Sequence, residues 1–366
     1  MSFWYNSSVL KLGVKIPAVY LARYYRNLLK IISPSPIDVS LKVTERCNSR
    51  CITCNIWKEQ ADKPELTLEE LEKIFYQFKS VKIKTIGFYG GEPLLRDDIG
   101  EVARKAKAIM KESRILLITN GLLLKKKAQE VLDSGIDIVC ISLDGIGEVN
   151  DMIRGVPGYY QKIIEGIEEL KRIDTKKKVR INIGSTLVSH NIHQVPQLID
   201  LARELDISWS FNLFDTSAYH FTNLDDPLSL KQIDDDVIDE TIEYISKERK
   251  KYPKTMVGID PLGLDFAREY LKGKEPPFRC ILGYIRIYVD SFKNVYSGCW
   301  ALPPIGNLGQ EELKSLLKSH KYKERLKKMY QLQCPYCTCG YLINCLVNHP
   351  FSGMQFIFRN ISLVKS

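Results

Sequence analysis

The sequence predicts an α/β fold, a partial (β/α)6 TIM-like barrel carrying a small C-terminal cysteine-rich α+β module. Three observations lead there. Between residues 37 and 215, short runs rich in Val, Ile, Phe and Tyr alternate with stretches of helical periodicity. There are six such units; strands that alternate with helices pair in parallel through right-handed crossovers, and six units close most, but not all, of a barrel. After residue 276 the pattern changes to a hairpin signal and closely spaced cysteines.

The strands are expected at Ile37–Val43, Ile83–Tyr89, Ile115–Thr119, Ile136–Leu143, Val179–Thr186 and Ser208–Leu213. Each is short and rich in β-branched or aromatic residues. The first helix, Leu68–Phe78, opens on Thr67 as cap with Glu70 three residues on, a capping box. Helical spacing continues in Ile99–Lys111, Lys125–Ser134, Tyr160–Arg172 and Gln194–Leu205. The expected organisation is a basic, amphipathic segment 1–36, the barrel 37–215, a helical connector 216–275, the cysteine module 276–350 and a tail 351–366.

Composition bounds the function. The chain has 366 residues, 45% hydrophobic and 27% charged, with a formal charge of +9. That excess suits an anionic cofactor, an anionic lipid surface or nucleic acid, and alone selects none. Charges interrupt every apolar run well before the ~18 residues of a membrane span, and no secretory signal is evident. A cytoplasmic location is the expectation, with peripheral contact at the inner membrane face as the variant. Ten cysteines in a reducing compartment read as ligands or nucleophiles rather than disulfides.

The strongest motif is Cys47-Asn48-Ser49-Arg50-Cys51-Ile52-Thr53-Cys54, directly after the first strand. Three thiolates can hold three corners of a cubane iron–sulfur cluster and leave the fourth iron open to a small molecule. A structural zinc ion is the alternative, but it asks for four protein ligands, and no fourth Cys or His lies nearby. Three more segments end strands: Tyr89-Gly90-Gly91-Glu92-Pro93, Thr119-Asn120-Gly121 and Ser142-Leu143-Asp144-Gly145.

In this order, the motifs resemble the radical S-adenosylmethionine (SAM) superfamily, whose CxxxCxxC follows the first strand of a (β/α)6 barrel. The resemblance spans about residues 37–215. It implies a [4Fe–4S] cluster on Cys47, Cys51 and Cys54, with SAM chelating the unique iron. It implies SAM contacts at Gly90, Gly91, Glu92, Asn120, Ser142 and Arg154. Glu92 would meet the methionine ammonium, Ser142 the ribose and Arg154 the carboxylate, for which an arginine fork is well shaped. The family's aromatic residue before the third cysteine is Thr53 here, so Ile56 or Trp57 is the expected apolar surface for adenine. The implied reaction is one-electron cleavage of SAM to methionine and a 5′-deoxyadenosyl radical, which removes hydrogen from a substrate. A ferredoxin or flavodoxin is the implied electron donor.

Six later cysteines are Cys280, Cys299, Cys334, Cys337, Cys339 and Cys345. A hairpin pattern, Tyr284–Val289 and Val295–Tyr296 around a turn at Asp290–Asn294, separates the first two. A helix is expected over Glu311–Met329. The run Cys280…Asn294-Val295-Tyr296-Ser297-Gly298-Cys299…Gly306-Asn307-Leu308 resembles the SPASM/Twitch extension of radical SAM enzymes. That implies one auxiliary [4Fe–4S] cluster, with a second as the larger variant; a zinc ribbon is the alternative. Asn294 stands where Gly is usual, and Asn tolerates positive φ. Trp300 stands where some peptide-modifying members carry an Asp. Cys140, inside the fourth strand, reads as a small buried hydrophobe.

Pro17–Ile32 reads as a helix packed on the barrel, or as an interfacial helix on anionic lipid. The five histidines show no metal-ligand spacing. The expected substrate is a peptide or protein, with a lipid or a sugar or aminocyclitol as alternative. No room is seen before residue 37 for a peptide-recognition domain, which trims the peptide case. A non-catalytic iron–sulfur or zinc scaffold on nucleic acid is the rival class. It would need a concentrated basic surface with stacking aromatics, and Lys176–Lys178 and Lys321–Lys328 read as solvated faces.

Overall fold

Alternation of side-chain chemistry along the strands decides how the sheet is used. The computed structural model describes residues 36–58, 65–214, 233–256, 259–274 and 279–333. In β1 (Asp38–Thr44), Val39, Leu41 and Val43 join the main apolar core, whereas Asp38, Ser40, Lys42 and Thr44 face the other way and are also buried. The same division runs through β2 (Thr85–Gly90), β3 (Arg114–Thr119), β4 (Ile138–Ser142), β5 (Arg180–Leu187) and β6 (Ser208–Leu213). The apolar face packs on the helices. The inner face is largely polar or small, with Ser40, Lys42, Thr85, Asn182, Ser208 and Ser210 all buried. Parallel strands covered on both sides normally carry apolar residues on both. A polar inner face is the lining of a chamber.

The six strands are all parallel and follow chain order, making the expected partial barrel. The helices between them are α1 (Leu68–Ser80), α2 (Ile99–Ile109), α3 (Leu124–Asp133), α4 (Glu148–Arg154), α5 (Tyr159–Ile173) and α6 (Val195–Glu204). The capping box of α1 forms as expected: Glu70 N–H donates to Thr67 Oγ1 at 3.2 Å and Thr67 N–H to Glu70 Oε2 at 2.9 Å. That start aims Leu71, Ile74, Phe75 and Phe78 at the core, where Phe75 meets Phe88 of β2 at 6.2 Å between centroids. The short helix α4 was not expected from periodicity. Beyond the barrel lie α7 (Asp235–Lys251) and α8 (Pro261–Leu271), within the helical connector.

The hairpin does not stand apart from the barrel. Its first strand, β7 (Arg286–Val289), pairs in parallel with β1, so the sheet runs β6-β5-β4-β3-β2-β1-β7-β8-β9, with β8 at Asn294–Tyr296 and β9 at Gly306–Asn307. Arg286 reaches Asp38 across that seam, Nη2 to Oδ2 at 2.6 Å, both buried. Burial pushes the Asp38 carboxyl up, against the pull of Arg286. In the hairpin turn, Asp290 Oδ1 accepts from the N–H groups of Phe292 and Asn294 at 2.9 and 2.8 Å.

Two expectations are corrected here. Lys293, not Asn294, takes the left-handed position, at φ 70°. Asn294 begins β8, and its side chain bonds Asp290 and Asn307 instead. The helix expected over Glu311–Met329 is two, α9 (Leu313–Leu316) and α10 (His320–Tyr330). Ser319 starts the second by accepting the Tyr322 N–H at 3.1 Å, an N-cap in mid-run. The segment Pro17–Ile32 expected as a helix, Cys334, Cys337, Cys339, Cys345 and the tail lie outside the described residues. No helix among the described residues is long and apolar enough to cross a membrane.

Candidate active site

The strand ends gather the sequence motifs into one hydrogen-bonded unit. The cysteine loop leaves β1 with Cys51 buried and Cys47 and Cys54 half-buried. It is stitched to the end of α4: Arg50 N–H donates to the Arg154 carbonyl at 3.1 Å, and Ile52 N–H to that of Ile153 at 2.9 Å. Gly155 caps α4 in the left-handed conformation, φ 68°, and a Cβ there would stand 2.3 Å from the Arg50 carbonyl oxygen. The indole N–H of Trp57 donates to the Cys51 carbonyl at 3.0 Å, with the Arg50 guanidinium 5.2 Å over its ring. Ile56 is half-buried, and its N–H donates to Cys54 Sγ at 3.4 Å.

Gly90 and Gly91 have a reason internal to the fold. A Cβ on Gly90 would lie 2.2 Å from the Thr44 carbonyl oxygen, and one on Gly91 2.1 Å from that of Arg46. The backbone at the end of β1 and just beyond it makes the close approach that the sequence pattern assigned to a ligand. Gly91 and Glu92 then donate their N–H groups to those carbonyls at 3.0 and 2.7 Å.

Glu92 is fully buried. Its carboxylate accepts from Leu94 N–H at 2.9 Å, Thr119 Oγ1 at 2.7 Å and Asn120 N–H at 2.6 Å. It therefore locks the end of β2 to that of β3, a positioning task the sequence did not reveal. Burial pushes its pKa up to about 7, against those three donors. Asn120 passes the connection on, donating from Nδ2 to Asn48 Oδ1 at 2.7 Å and Ser49 Oγ at 2.9 Å, inside the cysteine loop. Ser49 in turn donates to the Tyr159 hydroxyl at 3.3 Å.

Arg154 is no surface residue. Nη2 meets Asp144 Oδ2 at 2.7 Å, and Nη1 lies 3.9 Å from Cys51 Sγ. Asp144 is fully buried, its Oδ1 accepting Thr186 N–H at 2.6 Å. Arg154 Nε is buried with no hydrogen-bond partner among the described residues, a donor left for an incoming acceptor. Ser142 ends β4 half-buried, paired in register with Gly184. Asp144, Asn48, Ser49 and Tyr159 were not singled out from sequence; Asn48 and Ser49 stood between the cysteines, and Asp144 within a quoted motif, as the available signals.

Burial raises the pKa of all three thiols, that of Cys54 to about 12, while Arg154 pulls Cys51 down. Among the described residues, no three Cys, His, Asp or Glu side chains converge as ligands of one metal ion. A cubane asks instead for thiolates on separate iron corners. The loop supplies three such donors, with a cation beside one of them and an unpaired donor on that cation. The residues fit a [4Fe–4S] cluster with a small anionic ligand. Of the later cysteines, Cys280 and Cys299 are half-buried, and Trp300 stacks on Tyr288 at 4.9 Å. His193 is exposed, and His190 meets Ser189 Oγ at 3.0 Å.

The radical SAM superfamily model matches residues 41–202, from β1 into α6. The probable GTP 3′,8-cyclase of Methanococcus aeolicus is 30% identical over 250 residues, 63% of this chain and 76% of that protein. The chain belongs to the radical SAM superfamily. The pre-heme d1 synthase of Dinoroseobacter shibae is 36% identical to this radical SAM chain over 172 residues, 46% of the chain and 41% of that synthase. Across three curated relatives named as tetrapyrrole or heme synthases, the match spans less than half of each, 41%, 44% and 48%. Among solved structures, Streptococcus suis SuiB bound to S-adenosylmethionine is similar at TM-score 0.64 and 17% identity, covering 89% of this chain and 77% of that one. Native anSMEcpe with bound AdoMet gives TM-score 0.61 at 18% identity, covering 90% and 99%. At that identity the likeness is one of fold, and it includes the partial barrel. The cofactors of the family are a [4Fe–4S] cluster and SAM.

Proposed function

We propose that this chain is a radical SAM enzyme whose reacting centre is the loop Cys47–Cys54. The observation that carries the reading is the placement of Arg154. One guanidinium is held by a buried carboxylate, lies beside a cysteine sulfur of the loop and keeps Nε unpaired. When bound, the cluster and SAM supply the one-electron chemistry that yields methionine and a hydrogen-abstracting 5′-deoxyadenosyl radical. Cys47, Cys51 and Cys54 hold the cluster. Arg154 offers its free N–H to the SAM carboxylate, and Ser142 lies at the mouth of the chamber for the ribose. Glu92 and Asn120 fix the surrounding loops, so the site is preorganised.

The substrate reading is a peptide or protein, supported by fold neighbours with peptides bound: SuiB with the precursor peptide SuiA, and anSMEcpe with the Cp18Cys peptide. A small heterocyclic substrate is the second reading, favoured by relatives at 29–36% identity named as GTP 3′,8-cyclase and heme-related synthases. An auxiliary cluster on Cys280 and Cys299 with the later cysteines belongs to the same proposal, supported by the hairpin between those two residues. Anaerobic reconstitution followed by dithionite and SAM tests the activity: 5′-deoxyadenosine is released by the native chain and lost in Cys51→Ala. A native chain that binds iron yet releases none ends the reading. Deuterium transfer into 5′-deoxyadenosine from labelled peptides or labelled GTP then separates the two substrate classes.

A further inference from the structure

The inner face of the sheet holds a feature that the cofactor motifs do not use. One layer below the strand ends, the register places Ile118, Cys140, Asn182 and Ser208 side by side, and above them Ser142, Gly184 and Ser210. Cys140 is half-buried rather than fully buried, which corrects the expectation of a core residue. Asn182 is fully buried between its neighbours, its Nδ2 donating to Cys140 Sγ at 3.3 Å and to Ser210 Oγ at 3.0 Å. Its Oδ1 is buried without a hydrogen-bond partner among the described residues. An unmet buried acceptor is costly, so it marks a place where a donor is expected.

Gly184 supplies an independent observation. It lies in mid-strand with no positive φ, so the backbone does not demand glycine. A Cβ there would press on Cys140, 3.0 Å from its sulfur, so the glycine leaves that thiol its room on the inner face. Glycine inside a strand weakens it and commonly marks the close approach of a ligand. The described groups that the register places around Gly184 are a thiol, an amide and hydroxyls, with no charged side chain among them.

We propose that Cys140, Asn182, Gly184 and Ser210 form a substrate subsite in the chamber floor, taking an uncharged group that presents an N–H or O–H to Asn182. The inference rests on the radical SAM reading of the chamber and narrows its substrate to one with a neutral amide or hydroxyl at the buried end. A carboxylate or phosphate would find no cation there and would face an acceptor.

The probes are iodoacetamide, which carries amide N–H donors, and iodoacetate, which carries only acceptors. Both alkylate thiols. The anaerobically reconstituted chain is treated with each, and alkylation at Cys140 is followed by peptide mass spectrometry. Rates are normalised to the same peptide in the unfolded chain. Cys140 is expected to react in the folded protein and to favour iodoacetamide by roughly two- to tenfold, the scale of one hydrogen bond. Asn182→Leu removes that preference. Gly184→Ala, whose Cβ crowds the Cys140 sulfur, causes loss of Cys140 labelling; Ser210→Ala, which frees the amide to turn, is the second variant if the first does not fold, and it reduces the preference. An unreactive Cys140, equal normalised rates, or a preference for iodoacetate overturns the proposal. Release of 5′-deoxyadenosine by the same preparation is measured in parallel. Release with an unreactive Cys140 sinks the subsite alone, and selective labelling without release sinks the radical reading alone.

Discussion

The Arg154 guanidinium meets the Asp144 carboxylate at 2.7 Å, beneath a loop that Arg154 also holds through its own carbonyl. The pair is buried, so its energetics differ from those of a surface bridge. Removing one partner strands a charge, whereas removing both need not. Asp144→Ala is expected to lower unfolding free energy by about 3–5 kcal/mol in denaturant titrations. The double change Asp144→Leu with Arg154→Met is expected to recover most of it. Iron content at the cysteine loop should fall in both. A single variant within about 0.5 kcal/mol of native, as at a bland surface site, would show the pair to be idle.

Gly155 and Gly158 separate sterics from backbone strain. Both are left-handed, at φ 68° and 67°, but a Cβ on Gly158 meets nothing within 4 Å. Gly158→Ala is expected to cost about 1–2 kcal/mol, the strain alone. Gly155→Ala must also displace the Arg50 backbone, so it should cost more and reduce iron binding at Cys51. Equal losses of thermal stability in the two variants would contradict the tight seam between the loop and α4.

Glu92 makes stability depend on pH. Its folded pKa is raised from 4.5 to about 7, so the folded state holds the proton more tightly. The stabilisation is complete below the unfolded value near 4.5 and is lost as pH rises through about 7. A rise of that size corresponds to about 3 kcal/mol at 1.36 kcal/mol per pH unit. Comparing unfolding free energies of the native chain and Glu92→Gln from pH 4.5 to 7.5 isolates the slope. The variant should lack it and should be less stable throughout, since its amide N–H2 faces a donor. Superimposable pH profiles would remove Glu92 as the titrating group.

The auxiliary cluster has a direct count. With Cys47, Cys51 and Cys54 all changed to Ala, reconstituted protein is expected to keep about four irons, one cubane. Further loss of Cys280 and Cys299 should empty it. Iron-free triple-variant protein would leave the later cysteines without a cluster.

The sequence revealed whatever depends on neighbours in the chain. β6 falls at Ser208–Leu213 as expected, and Thr67 with Glu70 starts α1. The motifs for the site came with their strand ends attached. What escaped depends on residues far apart. Nothing near Gly91 says that the Arg46 carbonyl will press on it, and nothing near Arg154 names Asp144 as its partner. Helix α4 is only two turns long, too short for periodicity to mark. At Ser319 a local cap overrode a continuous helical pattern, because a serine side chain satisfies the first N–H groups of a new helix.

The pairing of β1 with β7 has a consequence for how the protein comes into being. Asp38 and Arg286 are 248 residues apart in the chain, yet they bond across adjacent strands. On a ribosome, β1 would emerge well before β7 and stand with one flank bare until the intervening segment had followed. A naked parallel flank invites pairing with strangers. Shortened forms ending before Arg286 are therefore poor choices for expression, and chaperone demand should be concentrated in that long wait.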